Sequence, residues 1–292
     1  MNDAPAETPV RPVWCIMPVV SNAAMTEAAI SDLLAQSVPT VVLVILQGVE
    51  IALRDRFLAI AEQEPRVLVW DHNPPLPSLS ATWNCGLRAA WAAGGTEALV
   101  VNNDVRLRDD TIYWLQRVVR GEMTISDGKL PDAPLFVSAV GVDEISWKTG
   151  SQIELQDAYI GQSFGGPDFS CFLIAKAGHE KYPFDEHFIP AFCEDCSTHR
   201  EYMLNGDGER IFSINLPYWH IGGGSNTLKS MSAEQRAKHE RAIEQSRRYY
   251  EWCWGGPPNA ERYTIKGDPR SAQDGVTNPE LQRAILQPAA EA

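Results

Sequence analysis

The sequence of 292 residues has no apolar run long enough to cross a membrane. A transmembrane helix needs about 20 consecutive apolar residues. The first ten residues, MNDAPAETPV, also lack the basic and apolar regions of a secretion signal. We therefore expect no membrane span and a cytoplasmic location.

A disulfide framework is also missing. The six cysteines follow no framework spacing and fall in predicted strands and helices: Cys15, Cys85, Cys171, Cys193, Cys196 and Cys253. Without a secretion signal, such cysteines are expected to be reduced thiols.

Positive charge is scarce, with 25 Lys and Arg against 38 Asp and Glu and a net charge of −13. This balance argues against a surface that binds nucleic acid generally. Residues 226–270 differ, because nine Lys or Arg and six Asp or Glu give this segment a charge of +3. A nucleic-acid contact therefore stays open for this segment alone.

Neither G-x-x-x-x-G-K-[ST] nor G-x-G-x-x-G occurs in the sequence. Kinase-type and dinucleotide-type sites are therefore not expected, because each depends on its glycine-rich loop to hold phosphate. If the protein binds phosphate groups, a metal ion and backbone amides must meet their charge.

Short apolar runs alternate with helical patterns through the first 120 residues. The runs typical of buried strands are 13–20, 40–46, 66–71 and 97–101. Repeated strand–helix units predict an α/β fold with a mostly parallel sheet and helices on both faces.

The pattern is looser after residue 120. We predict a hairpin over 145–155 around Gly150, a helix from the CEDC segment to Asn205-Gly206, and a basic helix over 232–252.

Polar clusters lie at the ends of three predicted strands and inside the CEDC segment. They are Pro18 to Asn22, Asp71 to Asn73, Asn102 to Asp104, and Glu194 to Asp195. Ligands of parallel sheets bind at the carboxyl ends of the strands, so we expect these clusters to share one site. Asn102 and Asp104 suit Mg²⁺ or Mn²⁺, which prefer oxygen ligands, but an Asx turn is the alternative interpretation.

The stretch AFCEDCSTHR, residues 191–200, has two incompatible interpretations. Cys193 and Cys196 have the spacing of a zinc or redox pair, whereas Glu194 and Asp195 between them suit proton transfer. A structural zinc site needs four ligands, more than this pair supplies. A redox pair normally follows a strand, which is unlike the position of this segment. We favour packing cysteines around a functional acid pair, with an ordinary solvated helix start as the alternative.

Eight segments in order, PVVSN, WDHN, LSATWNCGLRAA, ALVVNNDVRL, GPDFSCFLIAKAG, FDEHF, FCEDCSTHREYMLNG and YWHIGGGS, resemble the GT-A glycosyltransferases. The resemblance is to family 2 and the rhamnosyltransferase-like group, over about residues 12–227. It implies a Rossmann-like GT-A domain at 12–227. The basic helical pattern predicts a helical extension at 228–256, and a composition rich in Pro, Gly and polar residues predicts a partly ordered tail at 257–292.

The resemblance implies a divalent metal, Mn²⁺ or Mg²⁺, and a nucleoside-diphosphate sugar as donor. It assigns Asp104 and His220 to the metal, Asp195 to the catalytic base and Glu194 to its support. Donor contacts would come from Pro18, Val19, Val20, Asp71, Asn84, Asn102 and Asn103. Two departures stand out, since Asn102 replaces an acidic residue of the metal motif and Val20 replaces an aromatic one.

The implied function is a metal-dependent, inverting glycosyltransferase that uses a UDP-sugar. Its acceptor stays open among a saccharide, a lipid-linked sugar, a protein and a modified base of DNA. Trp219, Trp252 and Trp254 lie beside loops and are candidate acceptor contacts, and Asp185 would order the acceptor-side loop. The basic helix is a candidate acceptor or subunit contact.

Two other functions stay open. The first is a carbohydrate-binding protein without turnover, which the altered metal motif favours. The second is a nucleotidyltransferase, which the missing glycine-rich loop disfavours.

Overall fold

The computed structural model describes residues 11–125, 133–148, 159–160, 167–221 and 232–272. Within these residues an eight-stranded sheet has the order β3-β2-β1-β4-β9-β7-β10-β5, and a two-stranded sheet joins β6 and β8. The strands are β1 Val13–Val19, β2 Thr40–Gln47, β3 Val67–His72, β4 Glu97–Val101, β5 Val105–Arg106, β6 Thr124–Ile125, β7 Phe136–Val142, β8 Tyr159–Ile160, β9 Cys171–Ala175 and β10 Ile211–His220.

The first four strands of the sheet are parallel, since β1 pairs in parallel with both β2 and β4, and β2 pairs in parallel with β3. Strand β9 is antiparallel to its two neighbours β4 and β7, and β10 is parallel to β7. The mostly parallel α/β sheet predicted from the alternating pattern is therefore confirmed.

Helices cover both faces of the sheet. They are α1 Ala23–Leu34, α2 Ile51–Gln63, α3 Leu79–Ala92, α4 Thr111–Val119, α5 Glu144–Lys148, α6 Lys176–Lys181, α7 Glu194–Leu204 and α8 Ala233–Trp254. Side chains of α1, α2 and α4 share one core cluster with the sheet, and those of α3 and α7 share the other. Strands buried on both faces need continuous apolar sequence, as the runs VWCIMPV and TVVLVILQ provide.

The predicted hairpin around Gly150 is wrong at its start, because residues Glu144–Lys148 form helix α5. The backbone N–H of Ser146 donates to Asp143 Oδ1 at 2.7 Å, and Glu144 pairs with Lys148 one turn later. These local contacts favour a helical turn over a strand. The rest of the predicted hairpin, 149–158, lies outside the described residues.

The C-terminal helix packs on the domain through a third, smaller cluster. Its buried members are Phe188, Tyr250, Cys253 and Trp254. Residues 257–272 fold back on the same helix, where the Tyr250 hydroxyl donates to Glu261 Oε1. The domain boundaries stay a prediction, and 273–292 of the expected tail lie outside the described residues.

None of the helices in the described ranges combines the length and the apolar character that crossing a membrane would require.

Candidate functional site

The strand directions bring the predicted clusters to one edge of the sheet. Strands β1, β3 and β4 end there, and β10 ends there too, because it runs in the direction of β7 and hence of β4. Helix α3 starts at this edge, and its first residue, Leu79, donates its N–H to the carbonyl of Pro190 at 2.8 Å. The loop before Glu194 therefore lies at the same edge as Asp71 and Asp104.

Asp104 and His220 lie side by side although 116 positions separate them. His220 Nε2 is 3.4 Å from Asp104 Oδ2, and about a quarter of each side chain is exposed. Their backbones are fixed by the pairing of His220 with Val105 and by the Ile221 N–H, which donates to the Asp104 carbonyl at 2.8 Å. A hydrogen bond with Asp104 raises the pKa of His220, against the effect of burial.

These two side chains offer one carboxylate oxygen and one imidazole nitrogen to a metal ion. Among the described residues no group of three or more His, Cys, Asp or Glu could hold a metal. The pair therefore fits an ion that completes its coordination with phosphate oxygens and water, as Mg²⁺ commonly does. It does not fit a closed structural site.

Asn103 connects the metal-side loop to the end of β1. Its Nδ2 donates to the Ser21 carbonyl at 2.8 Å and to Thr26 Oγ1 at 2.9 Å. Its neighbour Asn102 is fixed through its backbone N–H, which donates to the Ser170 carbonyl at 2.9 Å. Asn103 thus holds the loop through its side chain, and Asn102 is half-buried beside it.

The predicted base-binding segment is only partly exposed. Val20 is 67% exposed at the end of β1, but Pro18 is buried and Val19 has no exposed surface. The expectation that all three side chains line a base is therefore corrected for Pro18 and Val19. Both lie within β1, which is covered on both faces, so only their backbone could reach a nucleotide.

Asp71 lies at the end of β3, with 30% of its side chain exposed. Its Oδ2 is 4.0 Å from Arg54 Nη1 on α2, a long and partly solvated ion pair. Arg54 therefore places a positive charge beside this partly exposed carboxylate.

Glu194 and Asp195 are the first two residues of α7. Glu194 is 7% exposed, and its Oε2 has no hydrogen-bond partner within the described part of the chain. Burial, followed by the charge of Asp195, raises the pKa of Glu194 to about 8. Asp195 is more accessible, and its Oδ1 accepts the Cys196 N–H at 2.7 Å. The pair thus combines a carboxyl that burial keeps protonated near neutral pH with a more accessible one.

Cys193 and Cys196 belong to the hydrophobic packing around the C-terminal helix. Burial and the neighbouring carboxylates raise the pKa of Cys193 to about 11, and burial also raises the pKa of Cys196. Reactive redox cysteines have lowered pKa values instead, and the described residues contain no group of three or more His, Cys, Asp or Glu that could hold a metal. The packing contacts therefore favour structural cysteines around the acid pair.

Asn84 is buried, and its amide is saturated with hydrogen bonds. Its Nδ2 donates to the Phe184 carbonyl at 2.8 Å and to Glu186 Oε1 at 2.9 Å. Its Oδ1 accepts the Phe184 N–H at 3.1 Å and contacts His179 Nε2 at 2.9 Å. The predicted donor contact from Asn84 is therefore replaced by a role in holding the loop that leads to the acid pair.

Asp185 is held by residues of the C-terminal helix and of the segment that follows it. Its Oδ2 is 2.7 Å from Lys266 Nζ and accepts the Tyr249 hydroxyl at 3.0 Å. Burial raises the pKa of this carboxyl, but the hydrogen bonds from Lys266 and His187 outweigh burial and lower it to about 2.

Asp168 is a candidate site residue that sequence reasoning did not single out. Its Oδ2 accepts the Tyr218 hydroxyl at 2.7 Å and the Gly141 N–H at 3.2 Å. The Tyr218 ring lies 6.0 Å from that of His220, and the charge of Asp168 contributes to the raised pKa of His220. The segment GPDFS contained the signal, because it places a carboxylate just before an apolar strand.

The tryptophans differ sharply in burial. Trp83, Trp91 and Trp114 are core residues. Trp254 is 2% exposed and donates to Ser197 Oγ at 3.1 Å, so it is no acceptor contact. Trp252 is 64% exposed and remains a candidate for that role.

No protein-family model and no curated protein matches this chain. Its structure is nevertheless similar to a mannosyltransferase, PcManGT from Pyrobaculum calidifontis, solved with GDP-Man and Mn²⁺. The TM-score is 0.52 at 12% identity, over 80% of this chain and 72% of that one. A glucosyl-3-phosphoglycerate synthase from Mycobacterium tuberculosis, solved with phosphoglyceric acid, gives a TM-score of 0.50 at 14% identity over 80% of each chain. The chain has the GT-A fold, as the sequence resemblance predicted.

Proposed function

We propose that this protein is a metal-dependent glycosyltransferase that moves a sugar from a nucleoside-diphosphate sugar to an acceptor hydroxyl with inversion. The observation that carries the proposal is the Asp104–His220 pair, with 3.4 Å between His220 Nε2 and Asp104 Oδ2, at the sheet edge where the acid pair also lies. A protein of the same fold has been solved with a nucleotide sugar and Mn²⁺.

The donor would lie across the carboxyl edge of the sheet. Asp71 and the exposed Val20 would contact the nucleoside, and Asp104 and His220 would lie on the diphosphate side. A divalent ion held there would neutralise the charge that develops on the leaving diphosphate. We propose Mn²⁺ or Mg²⁺ as the ion and UDP as the nucleotide.

The acid pair would activate the acceptor. A hydroxyl is a poor nucleophile near neutral pH, so a carboxylate within hydrogen-bond reach must accept its proton. Asp195 is the more accessible of the two carboxyls and takes this role. Glu194, held protonated by burial, adds no second negative charge beside it. One in-line displacement by the acceptor then inverts the anomeric configuration.

The acceptor side is formed by the loop that contains Asp185 and by the C-terminal helix. Trp252 stacks on Tyr249, with ring centroids 5.8 Å apart, and leaves an exposed ring beside that loop. Its face suits the apolar C–H surface of a sugar ring, so we propose a saccharide acceptor.

Calorimetry with UDP, GDP and dTDP, each with Mn²⁺ or with EDTA, tests the proposal. We expect one nucleotide to bind in the presence of Mn²⁺, and Asp104→Ala to abolish this binding. Asp109→Ala is the matched control, because Asp109 is exposed and its carbonyl accepts the Ser37 N–H at the opposite edge of the sheet. If no nucleotide binds the wild-type protein under any condition, the transferase proposal is wrong.

Turnover separates a transferase from a carbohydrate-binding protein of the same fold. A transferase releases the nucleoside diphosphate from its donor, slowly with water and faster with an acceptor. A protein that binds the nucleotide and never releases it from a sugar donor would contradict the catalytic proposal.

A further inference from the structure

The two residues before the acid pair have an unusual backbone conformation. Phe192 has φ 84° and Cys193 has φ 66°, both in the left-handed region. This region is unfavourable for side chains larger than glycine, and two such residues in succession are rare. Conformations of this kind persist only where the surrounding structure holds them, and they cluster at functional sites.

The C-terminal helix α8 holds this turn from outside the sheet. Ser246 is 1% exposed, and its hydroxyl lies 2.6 Å from the Ala191 carbonyl oxygen, to which it donates. The same hydroxyl lies 3.4 Å from the Ile189 carbonyl oxygen. About two turns before Ser246 on α8, the His239 ring packs edge-on against the Phe192 ring, with 5.0 Å between centroids.

The turn is also supported from the domain side. The Leu79 N–H at the start of α3 donates to the Pro190 carbonyl, and Cys193 packs against a cluster in which Phe188 of the domain meets Trp254 of α8. The loop therefore lies between α3 and α8, and the acid pair follows it directly.

We propose that α8 is a positioning element of the catalytic site and that Ser246 is its positioning residue. Its hydrogen bond to Ala191 holds the Phe192–Cys193 turn and thereby sets the direction of Glu194 and Asp195. The inference rests on the proposed function for its catalytic consequence, but the contact itself is independent of it.

The physical reason is the rigidity of the peptide plane. If the Ala191 carbonyl loses its buried donor, the plane rotates and the two residues after it relax from the left-handed region. The first turn of α7 moves with them. A displacement of about 1 Å of a reacting group can cost about 100-fold in rate.

Ser246→Ala is the test, and Ser232→Ala is its matched control. Ser232 caps the other end of the same helix, where its hydroxyl accepts the Gln235 N–H at 3.2 Å. Both variants remove one serine hydroxyl from α8, but only Ser246 contacts the loop of the acid pair. Ser246→Thr keeps the hydroxyl and should restore the wild-type behaviour.

Cys193 and Cys196 report on the turn without any need for activity. We expect iodoacetamide to label Cys193 about tenfold faster in Ser246→Ala, because a loosened turn exposes the thiol and returns its pKa towards the ordinary value. Ser232→Ala should label at the wild-type rate. Equal labelling in all three proteins would contradict the positioning role.

Turnover of the nucleotide sugar gives the second readout. We expect kcat of Ser246→Ala to fall about 100-fold while the affinity for the nucleotide with Mn²⁺ stays unchanged. A parallel loss of nucleotide binding would show a merely structural role and overturn the inference. If the wild-type protein binds no nucleotide, the proposed function fails, and the labelling rates alone still decide whether Ser246 holds the turn.

Discussion

Replacing Glu194 by Gln should stabilise the protein by an amount that grows with pH. The carboxyl is 7% exposed, and burial together with Asp195 raises its pKa to about 8 from the ordinary value of 4.5. Below pH 4.5 the folded and unfolded chains are both protonated, so the carboxyl costs nothing. Between these two values the unfolded chain loses the proton while the folded chain keeps it, so the free energy of unfolding falls as pH rises.

The size of the effect follows from the two pKa values. They differ by about 3.5, and one pKa unit corresponds to about 1.4 kcal/mol. The wild-type protein therefore loses about 5 kcal/mol of its free energy of unfolding, and this loss is complete above pH 8. Gln has nearly the same shape and does not ionise, so Glu194→Gln avoids this loss. We expect the stability difference between variant and wild type to widen by a few kcal/mol from pH 4.5 to pH 8.

Urea unfolding of both proteins at pH 4.5, 6, 7 and 8.5 measures this difference. Glu251→Gln, the same substitution at an exposed position of α8, is measured alongside as the control. Parallel stability curves for Glu194→Gln and wild type across this range would refute the argument that Glu194 is protonated in the folded protein.

Three further predictions concern the site and its surroundings. Asp195→Asn should lower turnover by about 100-fold or more and leave nucleotide affinity unchanged, because it removes a proton acceptor; unchanged turnover would exclude Asp195 as the base. Asn102→Asp should tighten Mn²⁺ binding in the presence of nucleotide by about tenfold, because it adds a negative charge beside Asp104. Calorimetry measures the Mn²⁺ affinity, and weaker binding would place Asn102 away from the metal. Trp254→Ala should cost about 3–5 kcal/mol of stability in chemical unfolding, whereas Trp252→Ala should cost little and instead raise KM for a saccharide acceptor. Equal losses of stability in the two variants would contradict the difference in burial.

The sequence was sufficient to predict the sheet and its helices because their signals are local. A buried parallel strand must be apolar along its whole length, and β1 and β2 are. Helix α7 begins at Glu194, in the predicted CEDC segment, and ends at Leu204, beside Asn205-Gly206. The hairpin prediction failed at residues 144–148. There the Asp143 cap and the Glu144–Lys148 ion pair determine the local structure, rather than the spacing of apolar residues.

Side-chain environments were harder to predict, because they depend on tertiary packing. Val19 and Val20 are adjacent and identical, yet one is fully buried and the other is 67% exposed, because the strand ends between them. Trp252 and Trp254 differ in the same way, since only Trp254 faces the domain from α8. Ser246 gave no signal in the sequence, as its importance rests on a carbonyl 55 positions away.

The Asp104–His220 contact shows why an ordered set of weak motifs can still indicate a site. Each residue alone has an ordinary interpretation, an Asx turn for the first and a satisfied histidine for the second. Their contact requires β10 to return in the direction of β4 and to pair with β5, which follows Asp104 directly. Asn102 is uncharged, so Asp104 is the one carboxylate of the Asn102–Asp104 segment. A metal ion in this site would therefore depend more on the diphosphate than it would with two carboxylates, so metal and nucleotide should bind together more tightly than either does alone.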